Sequence, residues 1–163
     1  MEELHGTNTI IEKLPDSFCN LESIQSFSLN RSRLTELPPC IGKLQSIESI
    51  YLNYTKLKSL PKSINQLNNL EVLNLRGNSI EAIPDFIKIP NLKFLVLKGN
   101  PLKDFRNISR AFPNLGYLTV DENHEQILKE LFQDRKIVIK SFDGDDYGPK
   151  ETSLDFLKYR LKG

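Results

Sequence analysis

The sequence predicts an α/β solenoid with a parallel sheet along its concave face and a helical cap at its C-terminal end. Three observations predict it. Segments of 22 or 23 residues repeat along the chain, apolar residues fall at the same places in each, and the repetition stops after residue 123. A chain of 163 residues is one domain by size and long enough to bury a core. One repeat unit cannot bury its own leucines, but several stacked coils make a continuous core. The chain therefore divides into a repeat array over residues 1–123 and a cap over 124–163.

The units, taken in order, begin with a partial one in which Leu4, Thr9, Ile11, Leu14, Pro15 and Phe18 are in register. Four full units follow over 21–43, 44–66, 67–88 and 89–111, with lengths of 23, 23, 22 and 23. Apolar residues occupy repeat positions 1, 4, 7, 9, 14, 17 and 21, as Leu44, Ile47, Ile50, Leu52, Leu57, Leu60 and Ile64 do in the second. A degenerate unit keeps Phe112, Leu115, Leu118, Val120 and Asn123 in register. Leucines at positions 7 and 9 alternate as strand residues do, with both side chains inward.

Position 12, where the chain turns off the strand, holds Ser32, Thr55, Asn78, Asn100 and Asn123. An inward asparagine can bond both a backbone N–H and a backbone C=O, so stacked copies form a ladder that satisfies the buried turn. Ser32 and Thr55 offer only a hydroxyl, which predicts a looser N-terminal half. Proline at position 18 (Pro15, Pro38, Pro61, Pro84) fixes φ where a short helix starts and a missing N–H matters little. After Asn123 the pattern ends. HEQILKELFQDRK (124–136) reads as a helix with Ile127, Leu128, Leu131 and Phe132 on one side. KIVIKSF reads as a last strand, and residues 153–161 as a short amphipathic helix. At the other end Gly6 stands where a second strand leucine belongs. Either the first coil caps itself poorly or the chain is part of a longer array.

The period and its leucines resemble the leucine-rich repeat family over residues 4–123. The segments LPPCIGKLQSI and LPKSINQLNNL, of the form LPxxIxxLxxL, are similar to repeats of Ras-group scaffolds and bacterial leucine-rich proteins. The resemblance implies a right-handed horseshoe solenoid that binds a protein partner. By analogy alone, that partner is a small GTPase, kinase or phosphatase.

Parallel sheets are usually covered on both faces, whereas this architecture leaves one open. Positions 6, 8, 10 and 11 point to it, and they place Tyr51, Tyr54, Val72, Phe94, Val96 and Tyr117 there, edged by Arg76 and Lys98. Aromatic and arginine side chains on an open surface are what interface centres favour. These eight residues are the candidate protein-binding site.

Catalytic constellations are scarce. His5 and His124 lie at opposite ends of the array, and no phosphate loop or GxSxG motif occurs. DGDDYG (143–148) starts like a calcium loop, but Leu154 stands where such a loop needs glutamate. Neither a metal nor a cofactor is expected, and the chain reads as a binding module, not an enzyme. Cys19 and Cys40, too few for a disulfide framework, read as packing residues and point to a reducing compartment. The formal charge of +1 supplies no reason to expect nucleic acid or an anionic membrane. No apolar run is long enough to span a bilayer, and MEELHGTNTI lacks the features of a secretory signal. The expected location is cytoplasmic, with non-classical secretion as an effector the other route. The alternative function is substrate recognition within a larger enzyme or secreted effector.

Overall fold

The computed structural model describes residues 2–141. The helix expected over 153–161 and the acidic turn over 143–148 lie outside the described residues. Seven short parallel strands form a single sheet in chain order: β1 (Glu3–His5), β2 (Ser26–Ser28), β3 (Ser49–Tyr51), β4 (Val72–Asn74), β5 (Phe94–Val96), β6 (Tyr117–Thr119) and β7 (Val138–Lys140). The register pairs equal repeat positions, so Phe27, Ile50, Leu73, Leu95 and Leu118 stand side by side. These and the leucines two places on are buried in one continuous core. The predicted solenoid is therefore observed.

Each return segment opens with the same turn. Phe18, Ile41, Ile64 and Ile87 donate their N–H to Pro15, Pro38, Pro61 and Pro84 at 2.9–3.1 Å. A 3-10 helix follows in the first three coils, and the short α1 (Ile108–Ala111) takes that place in the fifth return segment. Gly6 leaves space that the next coil fills: a Cβ there would lie 2.9 Å from Cδ2 of Leu29.

The position-12 ladder is present and graded. Asn78 donates to the carbonyls of Leu75 in its own coil (2.9 Å) and Leu52 in the preceding one (2.7 Å), and accepts the Leu57 N–H at 3.0 Å. Asn100 repeats the arrangement with Leu97, Leu75 and Ile80. Thr55 reaches only the Leu52 carbonyl of its own coil and Asn78 Oδ1, and Ser32 only a long bond from the Leu34 N–H at 3.4 Å. Asn123 corrects the expectation: it lies exposed in the first turn of α2 (Glu122–Leu131) and is not a rung. The chain enters that helix directly from Asp121, so no turn remains at position 12 to be stitched.

A second ladder was not anticipated. At position 3, Asn69, Asn91 and Asn114 donate to the preceding coil's Gln45, Asn68 and Pro90 carbonyls at 2.7–2.9 Å. Position 11, meanwhile, is left-handed throughout: Asn8, Arg31, Tyr54, Gly77 and Gly99 have φ of 58, 57, 55, 65 and 75°. That conformation aims each of the first four N–H groups at the position-10 carbonyl of the next coil, 2.6–2.9 Å away. Where the coils end, both carboxylate oxygens of Asp121 accept the Gly99 N–H instead.

The helix α2 begins two residues before the expected span and ends at Leu131. Of its expected apolar side, Leu128 is buried and Phe132, just beyond the helix, is too, whereas Ile127 and Leu131 are exposed. The chain then returns to the sheet as β7, whose end is tied to α2: Glu125 Oε2 accepts the Ser141 N–H (3.0 Å) and hydroxyl (2.6 Å).

The cysteines also differ from expectation. Cys19 and Cys40 form a disulfide between the first two return segments, with Cα atoms 5.9 Å apart. They occupy positions 22 and 20 of consecutive coils, which stacking brings within bridging distance.

Candidate functional site

The concave face has a floor, made by the outward residues of the strands, and a rim where the strands end. In the floor, Ser26, Ser28, Ser49 and Thr119 are buried, and Asn74 and Val96 half-buried. Tyr51, Val72 and Phe94, expected to face solvent, are only 8%, 2% and 5% exposed. They form a small apolar cluster separate from the main core, with Tyr117 packed against it. Equal positions on neighbouring strands lie about 4.8 Å apart, so large side chains there meet one another. The Phe94 and Tyr117 rings are 6.2 Å apart and tilted by 43°. Burial pushes the Tyr51 phenol above its ordinary pKa, with the Glu3 carboxylate adding in the same direction.

The rim carries the other candidates. Tyr54 is 38% exposed. The guanidinium carbon of Arg31 lies 5.8 Å from its ring centroid and that of Arg76 5.6 Å, so one ring serves two cations. The ring rests against Gly77, where an added Cβ would overlap it. Lys98 continues the row, half-buried, on the next coil. The structure therefore brings Tyr54, Arg76 and Lys98 together on the rim and Val96 and Tyr117 on the floor beside them. Tyr51, Val72 and Phe94 stand in the same face, buried by their neighbours. Arg31, which the sequence placed on this face without singling it out, belongs with the rim group.

Away from this face the chemistry is sparse. His5 stands in β1 beside Glu3, and the His124 ring lies against Phe105, 4.9 Å between centroids. The Arg106 guanidinium, hydrogen-bonded to Asp104, lowers that carboxyl to a pKa of about 2. Among the described residues no helix is long and apolar enough to cross a membrane.

Residues 45–102 match the leucine-rich repeat family. Among solved structures, the chain is similar to a leucine-rich repeat protein of Leptospira interrogans, with a TM-score of 0.68 and 28% identity. That match covers 78% of this chain and 33% of the other. An internalin of Listeria monocytogenes gives a TM-score of 0.66 at 16% identity, covering 85% of this chain and 40% of that one. A chain of the Drosophila melanogaster SNF/U2A′ complex gives 0.54 at 19% identity, covering 80% of each. The last two show likeness of fold alone. The chain thus spans about a third of the Leptospira protein and two fifths of the internalin. No curated protein matches it.

Proposed function

We propose that this chain, a leucine-rich repeat protein, holds a protein partner on the concave side of its sheet and does no chemistry on it. The observation that carries the reading is the make-up of that side. A packed Tyr51–Val72–Phe94 cluster lies in the same face as the more accessible Val96 and Tyr117, with Arg76 and Lys98 at its edge. A rigid apolar cluster with half-exposed aromatic and cationic side chains beside it is suited to an interface centre, because little side-chain freedom is lost on binding. Leucine-rich repeats serve generally as interaction modules, and a partner chain is the occupant that uses such a curved surface.

The test leaves those three residues in place, since replacing Tyr51 or Phe94 would open the buried cluster. Val96→Ser combined with Tyr117→Ser should abolish affinity capture of a partner, read by mass spectrometry, while the thermal transition stays cooperative and falls only by the loss of the Tyr117 ring packed near Phe94. Undiminished capture would remove the site.

A second reading is favoured by the Cys19–Cys40 bond: the coils act as the recognition part of a secreted effector or larger enzyme. The Cys19–Cys40 bond supports work in an oxidising compartment, where such bonds persist, and so argues against the cytoplasmic location that two cysteines alone suggested.

A further inference from the structure

The geometry points to the Arg31–Tyr54–Arg76 stack, with Lys98 on the next coil, as a site for a short acidic segment of a protein partner. The inference rests on the concave side being a protein-binding face, and it names the chemistry of what the rim takes.

The argument begins with conformation. Position 11 is left-handed in five successive coils, and the last two use glycine, which adopts that conformation without strain. Arg31 and Tyr54 adopt it as well, at φ of 57 and 55°, where a long or aromatic side chain is disfavoured. Glycine would serve the fold better at both places, so the retained side chains point to a use. Gly77 deepens the case, because its missing Cβ is the space that the Tyr54 ring occupies.

Charge supplies the second argument. Three cations of the coils pair with carboxylates of neighbouring coils, Lys13 with Glu36, Lys93 with Glu71 and Lys103 with Glu81. Among the described residues, none of Arg31, Arg76 and Lys98 has such an ion pair. Lys43, Lys58, Lys62, Lys88 and Arg110 have no such pair among the described residues either, so it is their clustering that sets the rim cations apart. Two guanidiniums share a ring, and each keeps donors suited to gripping a carboxylate by two bonds. The row is thus a concentration of like charge that an anion would complement.

Size and ends select the occupant. From Arg31 to Lys98 the row crosses three coil spacings of about 4.8 Å, roughly the length of four or five extended residues. Beyond Lys98 the row meets Asp121 and Glu122, and the whole chain carries only +1. A long polyanion such as RNA would run into those carboxylates; a short acidic stretch would not.

The experiment is an amide NMR titration of the full chain with a blocked pentapeptide of alternating aspartate and glutamate. A matched serine–glycine peptide and a single-stranded RNA pentamer form the other arms. The acidic peptide should shift amides at 31–33, 54–56, 76 and 98, more strongly at low salt. Arg31→Gly, which also relieves the left-handed strain, should weaken it about tenfold, the loss of one charge-assisted pair, with the thermal midpoint unchanged or raised. No shift at the rim, equal binding by Arg31→Gly, or tighter binding of RNA would each overturn the inference. If the rim fails while Val96→Ser/Tyr117→Ser still loses its partner, the concave reading stands and only the acidic-segment inference falls.

Discussion

Replacing Asn78 by alanine tests what holds consecutive coils together, and its cost can be worked group by group. The side chain is 6% exposed, so water cannot take over its bonds. Its loss leaves the Leu57 N–H with no partner, because Asn78 Oδ1 is the acceptor that group uses. The two carbonyls fare better. Leu52 O keeps the Thr55 hydroxyl at 3.3 Å, and Leu75 O keeps the Asn100 amide at 2.8 Å. One orphaned buried donor costs about 1–3 kcal/mol and each weakened carbonyl about 0.5 more, so the expected loss is about 3 kcal/mol. Ser32→Ala is the control. It removes a single bond of 3.4 Å and should cost no more than about 0.5 kcal/mol. Asn78→Asp sharpens the comparison. It keeps an acceptor for Leu57 but sets a carboxylate against two carbonyls, and it should be at least as damaging as alanine. Urea unfolding followed by circular dichroism reads all three. Equal losses for Asn78→Ala and Ser32→Ala would refute the reasoning, since the ladder would then carry no more at its asparagines than at its serine.

Two other outcomes follow from the ends of the array. Cys19→Ser with Cys40→Ser should lower stability by about 3 kcal/mol, the chain-entropy value for a loop of this length, given the separation of 21 residues. A urea midpoint that dithiothreitol does not move would rule out a formed bond. Glu125 is held at a pKa of about 2, below its ordinary 4.5, first by its hydrogen bond to Lys129 and then by Ser141. Its folded pKa is the lower one, so the stabilisation is complete above 4.5 and drains away as pH falls towards 2. Thermal midpoints should fall over that interval by more in the wild type than in Glu125→Gln. Parallel curves would show that the carboxylate does not hold β7 to α2.

What the sequence made legible was whatever recurs as a residue type. The leucines of positions 7 and 9, the prolines of position 18 and, of the position-12 asparagines, Asn78 and Asn100 do what their spacing implied. The position-3 ladder was equally visible, as Asn69, Asn91 and Asn114 in consecutive units, but these polar residues stand on a surface, where asparagine needs no explanation. The left-handed column was half visible in Gly77 and Gly99 and hidden by Arg31 and Tyr54, because the backbone demand there is met by residues that do not advertise it. Alternation told which way Tyr51, Val72 and Phe94 point; it does not tell how deeply neighbours on adjacent strands cover one another. Asn123 kept its register but lost its turn, since the helix after Asp121 changed the backbone under it. The disulfide was a matter of stacking: 21 residues apart in sequence, the cysteines are neighbours only once two coils are superposed.

Two of these departures, the left-handed side chains and the disulfide, share a location. In the second and third coils the ladder is made of hydroxyls, from Ser32 and Thr55, and the left-handed position is filled by Arg31 and Tyr54. In the fourth and fifth the same places hold Asn78, Asn100, Gly77 and Gly99. Each difference weakens the earlier coils, and in a solenoid a weak interface between neighbours is not made good by distant ones. The disulfide lies at this same end and bridges the first coil to the second. A covalent tie there limits how far those coils can separate and so offsets the local loss. The N-terminal coils are thus the part of the array where side chains serve the surface at the expense of the turn. The bridge ties down the coil that carries Arg31; Tyr54 lies one coil beyond it.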